Sequence, residues 1–515
     1  MEEVACYLER QDLANCTLVN KTFHEHFQRH LWRELTINPR VIAERGLMPM
    51  QEQVLRNNSR FIRKLFVHTL NRRGVIALLA SACDLLYELK SHVSLPKNET
   101  DDTLLLMILD LVSHNLRLRN WTIYSRAYFS NTTLLRLTEV LSKSHCLTVL
   151  EIELAFRPQR GWMRHILQSL PQTLKNLRIQ WERICEMDYV DPFPNNGWPT
   201  KYSHLEVADL AIFLTSGDEI ALFQFIERCL TLKKLTLPRM RSQLTVDSVI
   251  SLLETRPLST TLNTIDLSLV SHLDEIYWGR FLWAMKGRVK ELITDMNFNI
   301  PTAMTYIPKL TNCWRDTLES LQINKPRRIT SRDIYLILTT CSKLKKLDCL
   351  YPWVGLRFER EEEEVEFPGL EAMVREDWVC TELEELRLSF ADGRRPHAAE
   401  PVLSLQEGWC IQGIDHIYQQ LGRLTKLRLL AIGWSTTSAF SNRANLDMSL
   451  QSGLGYLEGL MSLMSLDIKY IRYVKIQQNE VNWMLENWPS LVRIRGVNNL
   501  QVIRSILHER PHMTI

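Results

Sequence analysis

An α/β solenoid, with a curved parallel sheet on its concave side, helices on its convex side and a small all-α segment in front, is the fold predicted by this sequence of 515 residues. Three observations predict it. A short leucine pattern returns at nearly constant spacing, helix-patterned stretches separate its copies, and the N-terminal segment keeps helical spacing without that pattern.

The pattern is Leu-x-x-apolar-x-apolar. It is clear in LTVLEI (Leu147, Leu150, Ile152) and LKNLRI (Leu174, Leu177, Ile179). It continues at Leu205, Leu232, Leu262, a weaker Val289, Leu318 and Leu344, with starting positions separated by 27, 31, 27, 30, 27, 29 and 26 residues. Further copies start at Leu383, Leu427, Leu463 and Leu491, where the steps stretch to 39, 44 and 36 before returning to 28. Loop insertions are therefore expected near 351–380, 389–425 and 433–460. Degenerate copies precede the regular ones in IRKLFV (Ile62), LYELKS (Leu86) and LRNWTI (Leu118).

An alternating Leu-x-Leu reads as a short strand with apolar side chains pointing inward and the intervening residue outward. Between strands, Leu134–Ser144 and Asp333–Lys343 carry apolar residues at helical spacing and can cover one face of the sheet. One such unit leaves its apolar face open, so neighbours must stack. The pattern resembles the cysteine-containing type of leucine-rich repeat over Phe61 to Ile515. That resemblance implies a concave sheet and rim loops that bind protein partners. Cys229, Cys341 and Cys380 each stand three residues before a repeat leucine. Equivalent positions of a solenoid lie on separate rungs, so these read as small buried residues at the helix-to-strand turn rather than converging metal ligands.

The residue between the last two apolar positions faces outward on the concave side. There the sequence places Glu151, Arg178, Asp209, Thr236, Asp266, Gln322, Asp348, Arg387, Ala431, Asp467 and Arg495. Of these, Glu151, Arg178, Asp209, Asp266, Asp348, Arg387 and Asp467 are the candidate substrate-binding positions. Acidic residues dominate the middle, which would steer a basic partner. The run EREEEEVE at 359–366 reads as a solvated acidic loop.

Composition narrows the function. With 62 basic and 59 acidic residues the net charge is +3, too balanced to argue for nucleic acid or a membrane surface as partner. The first ten residues, MEEVACYLER, lack the basic and apolar runs of a secretory signal, so an intracellular, cytoplasmic and/or nuclear protein is expected. The longest apolar stretch, Gly74 to Leu89, is too short to cross a bilayer and reads as a buried helix. The 11 cysteines form no C-x-x-C pair and are expected as reduced thiols. His26 and His30, one helical turn apart, have no third ligand in sight. There is no P-loop, dinucleotide fingerprint, nucleophile elbow or H-E-x-x-H. The expectation is a non-enzymatic chain with no cofactor, no metal and no small-molecule substrate.

The N-terminus is a different object. Over Val4 to Ile37 the apolar residues Leu13, Cys16, Val19, Phe23, Phe27 and Leu31 keep helical spacing, and Asp12 suits an N-cap. The x-Tyr-Leu ending at Leu8, the Asp12-Leu13 pair, Val19, Phe23 and the closing Leu31-Trp32 are similar to an F-box, the motif by which substrate receptors dock on SCF ubiquitin ligases. The resemblance implies that Leu8, Leu13, Val19, Phe23, Leu31 and Trp32 contact the ligase adaptor, and through it a cullin. The family usually opens with Leu-Pro and an acidic helix, whereas Met1 is followed here by Glu2 and Glu3. The expected organisation is an F-box-like head over 1–37, a linker over 38–60 and repeats over 61–515. Two functions stay open: a non-catalytic SCF substrate receptor, and an interaction scaffold with no ligase link.

Overall fold

A computed structural model describes residues 5, 8–37, 49–69, 76, 79–80, 82–93, 102–126, 130–154, 162–181, 198, 201–212, 216–238, 243–255, 261–270, 275–295, 306–324, 331–349, 376–390, 415–434, 448–470, 476–497 and 499–514. The chain divides into two compact units, Met1–Ser248 and Val249–Ile515. The acidic run at 359–366 and most of the expected insertions lie outside the described residues.

In the first unit eight strands pair in parallel in chain order: β1 (Glu34–Ile37), β2 (Lys64–Thr69), β3 (Glu88–Val93), β4 (Asn120–Ser125), β5 (Val149–Leu154), β6 (Asn176–Trp181), β7 (Val207–Ala211) and β8 (Lys234–Thr236). The second unit repeats the plan with β9 (Thr264–Leu267), β10 (Glu291–Asp295), β11 (Ser320–Asn324), β12 (Lys346–Asp348), β13 (Glu385–Phe390), β14 (Leu429–Trp434), β15 (Ser465–Tyr470) and β16 (Arg493–Arg495). Each unit has the leucine-rich-repeat architecture, and every repeat leucine pattern from Ile62 to Leu491 leads into a strand.

Register fixes which side chains share a face. Leu150, Ile152 and Leu154 of β5 stand opposite Leu177, Ile179 and Trp181 of β6, and all six are buried. Burying each such side chain contributes roughly 1.5–3 kcal/mol. The stack is locked at its entrance by a repeated backbone clip. Two successive N–H groups at each strand start donate to one carbonyl of the preceding repeat, as when Arg119 and Asn120 donate to the Tyr87 carbonyl at 2.9 and 3.0 Å. The same clip recurs from the Arg33 carbonyl to the Lys175 carbonyl and on to that of Glu206, and in the second unit from Asn263 to Met464.

Helices cover the apolar side. The first unit carries α1 (Arg10–Thr17), α2 (Lys21–Leu31), α3 (Pro49–Asn58), α4 (Thr103–His114), α5 (Asn131–Lys143), α6 (Trp162–Ser169) and α7 (Ser216–Ile226), and α8 (Gln243–Thr255) runs across the unit boundary. The second unit adds α9 (Glu275–Ala284), α10 (Tyr306–Trp314), α11 (Ser331–Thr340), α12 (Gln478–Asn487) and α13 (Leu500–Glu509). In α5 the Ser130 hydroxyl caps the N-terminus by accepting from the Thr133 N–H at 3.1 Å, while Leu134, Leu137, Val140 and Leu141 are buried at helical spacing. Large aromatics complete the core: Trp121, Trp162, Trp278, Trp314 and Trp488 are fully buried.

Four expectations need correction. The 38–60 stretch is no plain linker, because α3 occupies its second half, with Leu55 buried and an Arg56–Glu52 ion pair at 2.8 Å along the helix. Residues 34–37 belong to the sheet rather than to the head, since β1 pairs with β2 and the Glu34–Lys64 register sets Trp32 where Ile62 stands in the next repeat. An indole in the place of the leading leucine hid that rung. The 74–89 stretch does not stay helical to its end, because β3 starts at Glu88, where burial alternates with period two. In the head, one continuous helix is replaced by α1 and α2, broken at 18–20 because Asn20 takes the N-cap of α2 and accepts from the Phe23 N–H at 2.9 Å. Asp12 lies in the first turn of α1, whose N-cap is Glu9.

The helix-to-strand turns are pinned by side chains from one recurring position, three residues ahead of the leading leucine. Asn115, 1% exposed, donates to the Cys83 and Leu111 carbonyls at 2.9 and 2.7 Å and accepts from the Leu86 N–H at 2.8 Å. Ser144 and Cys229 use the same position to donate to the carbonyls of Val140 and Phe225. At the far end Arg510 donates to the Leu485 and Leu491 carbonyls and closes the last repeat. Because Asn115→Ala orphans one buried N–H and two carbonyls, the substitution should cost about 3 kcal/mol in urea unfolding; a change below about 0.5 kcal/mol would show that the turn does not depend on it.

Candidate functional site

The helix side of each sheet is closed by packing, which leaves the opposite face to build a site. Of the positions expected to face outward, Thr236 and Ala431 are buried instead, and the seven candidate binding residues do face outward. Glu151, Asp209, Asp266, Asp348, Arg387 and Asp467 are half-buried at alternate strand positions and Arg178 is exposed, while the residues on either side of each are buried.

Register sets these residues in a row that runs across each sheet. In the first unit Thr122, Glu151, Arg178, Asp209 and Thr236 are successive partners. In the second, Asp266, Ile293, Gln322, Asp348, Arg387, Ala431, Asp467 and Arg495 follow one another. The acids of this row are not a free negative field. Asp209 meets Arg178 Nε at 3.4 Å, Asp348 meets Arg387 Nε at 3.7 Å, and Asp467 lies 3.9 Å from Arg495 and 3.8 Å from Lys469. Glu151 accepts from the Thr122 hydroxyl at 3.1 Å, and Asp266 from the Ser268 N–H at 2.9 Å. The expected acidic stripe is thus a row of cross-strand pairs, because parallel register brings Arg and Asp of adjacent repeats together. Each such pair at partial exposure contributes about 0–1 kcal/mol and stays able to exchange partners.

Two features escaped sequence reading. Toward the strand ends of the first unit, His68, His92 and Tyr124 share a second row, with His92 stacked on Tyr124 at 4.3 Å and an Arg126 guanidinium over the tyrosine ring. Burial, then His68 and Arg126, hold the His92 imidazole below its ordinary pKa. At the strand entrances of the second unit, Lys290, Glu319, Lys345, Glu384 and Arg428 form a rim row of alternating charge. Glu319 is clamped by Lys290 at 2.8 Å and Lys345 at 2.7 Å. Hydrogen bonds from these two ammonium groups pull its carboxyl to a pKa of about 2.

The head places its candidate residues on two surfaces. Ala5, Leu13 and Phe27 form a small core of their own, with Leu8, Cys16, Phe23 and Leu31 packed against it. Val19 is 63% exposed beside Leu18 at 83%, both in the break between α1 and α2. Trp32 is half-buried at the start of the first rung. The rings of His26 and His30 are 6.0 Å apart on α2. The turn cysteines are sealed: Cys83, Cys229, Cys341 and Cys380 are buried, and burial pushes the thiols of Cys83 and Cys380 to about 12 and that of Cys341 to about 11. Such thiols are protonated and poor nucleophiles. No helix among the described residues is long and apolar enough to cross a membrane.

No family model matches the chain, and no curated protein matches it. Among solved structures it is similar to the crystal structure of a TLR13–ssRNA13 complex, at 13% identity and a TM-score of 0.41, covering 84% of this chain and 56% of that one. The chain thus spans just over half the length of that protein. It is also similar to the leucine-rich repeat-containing protein LegL7 from Legionella pneumophila, at 10% identity and a TM-score of 0.32, covering 58% of this chain and 88% of that one.

The Glu319 clamp makes a pH-dependent contribution. Its folded pKa of about 2 lies below the unfolded carboxylate value of roughly 4.3, so the stabilisation is complete above the unfolded value and disappears as pH falls through the folded one. Glu319→Gln should cost about 1 kcal/mol at pH 7 in low salt and clearly less at pH 2, where the folded carboxyl is about half protonated, read by urea titration at the two pH values. A pH-independent difference would remove the clamp from the account.

Proposed function

We propose that the chain is a non-catalytic protein-interaction receptor whose open sheet face holds a partner protein. The observation that carries this reading is the contrast between the two faces of each sheet: one sealed by apolar packing, the other presenting rows of polar, cross-paired side chains at fixed spacing. Such a face offers many weak, rearrangeable contacts over a large area, which suits recognition of a protein surface. Its chemistry is positioning.

The finer reading is a substrate receptor of an SCF-type ubiquitin ligase, with the head docking the adaptor and the repeats holding the substrate. Its support is the sequence resemblance together with the exposed Leu18–Val19 pair, two apolar side chains that the head's own core leaves to solvent. An exposed apolar pair on a small helical head is what an adaptor groove would cover. The alternative, a scaffold with no ligase link, keeps the sheet face and gives the head only the task of ending the solenoid.

Two full-length variants separate these roles. Leu18→Glu/Val19→Glu should lose the ligase adaptor in affinity capture and keep the other partners. Asp209→Lys/Asp266→Lys/Asp348→Lys should keep the adaptor and lose partner capture by about tenfold or more. Capture of partners unchanged by the triple reversal would overturn the sheet-face reading. Absence of adaptor from the wild-type chain at micromolar concentration would leave the scaffold alone.

A further inference from the structure

The rim row of the second unit alternates in sign, whereas the first half of the equivalent row of the first unit carries no acid. There the strand-entrance positions are Arg33, Arg63, Tyr87, Arg119 and Thr148, and alternation begins only with Lys175, Glu206 and Lys233. Arg63, Tyr87 and Arg119, with Arg117 and Leu85, line a cleft of about 430 Å³. Volume of this order is that of small-ligand sites.

Three guanidinium groups at one cleft repel one another at every physiological pH, since arginine does not deprotonate. Nothing among the described residues neutralises them. Arg117 and Arg119 are exposed with no carboxylate at ion-pair distance, and Arg63 spends one nitrogen on the carbonyls of Arg60 and Ile62. Glu88, the acid beside Tyr87, is engaged by Lys64 at 3.7 Å and Lys90 at 3.2 Å. Lys64 also sits over the Tyr87 ring, 5.8 Å from its centre, and is shared between Glu88 and Glu34.

The backbone beneath the cleft is fixed. The Arg63 carbonyl accepts from the N–H groups of Tyr87 and Glu88, and the Tyr87 carbonyl accepts from those of Arg119 and Asn120. Asn115 ties the turn carrying Arg117 and Arg119 to the 83–86 turn carrying Leu85. The backbones under all five lining residues are therefore fixed relative to one another, and only the guanidinium ends adjust.

We propose that this cleft is a binding site for a phosphate monoester. Guanidinium forks match the oxygens of a phosphate in bidentate pairs, and a phosphate monoester carries a charge of roughly −1.5 to −2 near pH 7, enough to offset most of the cluster. The Tyr87 ring with Leu85 adds an apolar wall for the carbon bearing the phosphate. The site lies at the strand-entrance rim and is independent of the sheet-face receptor and of ligase docking.

The test is calorimetric titration of the full-length chain at low ionic strength with inorganic phosphate and, separately, with a short phosphoserine peptide. Saturable binding is expected, and Arg117→Glu/Arg119→Glu should weaken it by about tenfold or more. Lys233→Glu/Lys426→Glu changes net charge equally at rim lysines already paired with Glu206 and Glu382, and should leave affinity within about twofold. All four side chains are more than half exposed or lie on the outer rim, so melting temperature checks that each variant is folded. Tighter binding of the peptide assigns the phosphate to a phosphorylated side chain, and equal binding assigns it to a free phosphate compound. The proposal is overturned if the wild-type chain binds neither probe at millimolar concentration, or if the two double variants weaken binding alike.

Discussion

The paired N–H donation onto a single carbonyl at each strand entrance is the constraint from which the rest of each unit follows. Because the clip joins equivalent residues of successive repeats, it forbids slippage between rungs and keeps loop length out of the sheet. The step from β12 to β13 spans 39 residues in the leucine pattern, yet Lys346, Leu347 and Asp348 still meet Glu385, Leu386 and Arg387 in register. Inserted residues thus leave the core ladder untouched. A one-residue slip would turn Leu347 toward solvent and Asp348 into the core, at a cost of several kcal/mol for the unpaired buried charge alone.

Stacked register also explains what could and could not be read from the residues. Alternation of Leu with polar residues was enough to place Glu151, Asp209 and Asp467 on the open face, because inward and outward follow from period two within one strand. Their partners were not readable. Whether Asp348 faces Arg387 depends on which strand lies next, and nothing local to Asp348 says that its partner stands 39 positions further on. The same limit hid the arginine cleft, whose members come from the starts of three different repeats. Trp32 hid β1 for a simpler reason: an indole stands at the leading position, outside the leucine pattern.

The turn position ahead of each repeat shows how one physical demand accepts different chemistry. The final turn of the preceding helix leaves carbonyls without partners. Asn115 meets them with an amide, Ser144 with a hydroxyl and Cys229 with a thiol, whereas Trp488 at the same position sends its indole N–H across to the Leu457 carbonyl of the preceding repeat at 2.9 Å. The cysteines are therefore one solution among several to a packing and hydrogen-bonding problem. Their raised pKa values follow from that burial and take them out of thiolate chemistry.

Electrostatics along the rim sharpens the difference between folding demands and functional ones. Parallel strands set equivalent side chains about 4.8 Å apart, where two like charges in a watery environment repel by about 1 kcal/mol and by more where solvent is partly excluded. Alternation escapes this, as Lys290, Glu319 and Lys345 demonstrate in the second unit and Glu206 with Lys233 in the first. Around one cleft the first unit instead gathers Arg63, Arg117 and Arg119. A place where like charges gather while other rungs of the same rim show the paired solution is one whose residues answer to a partner outside the fold.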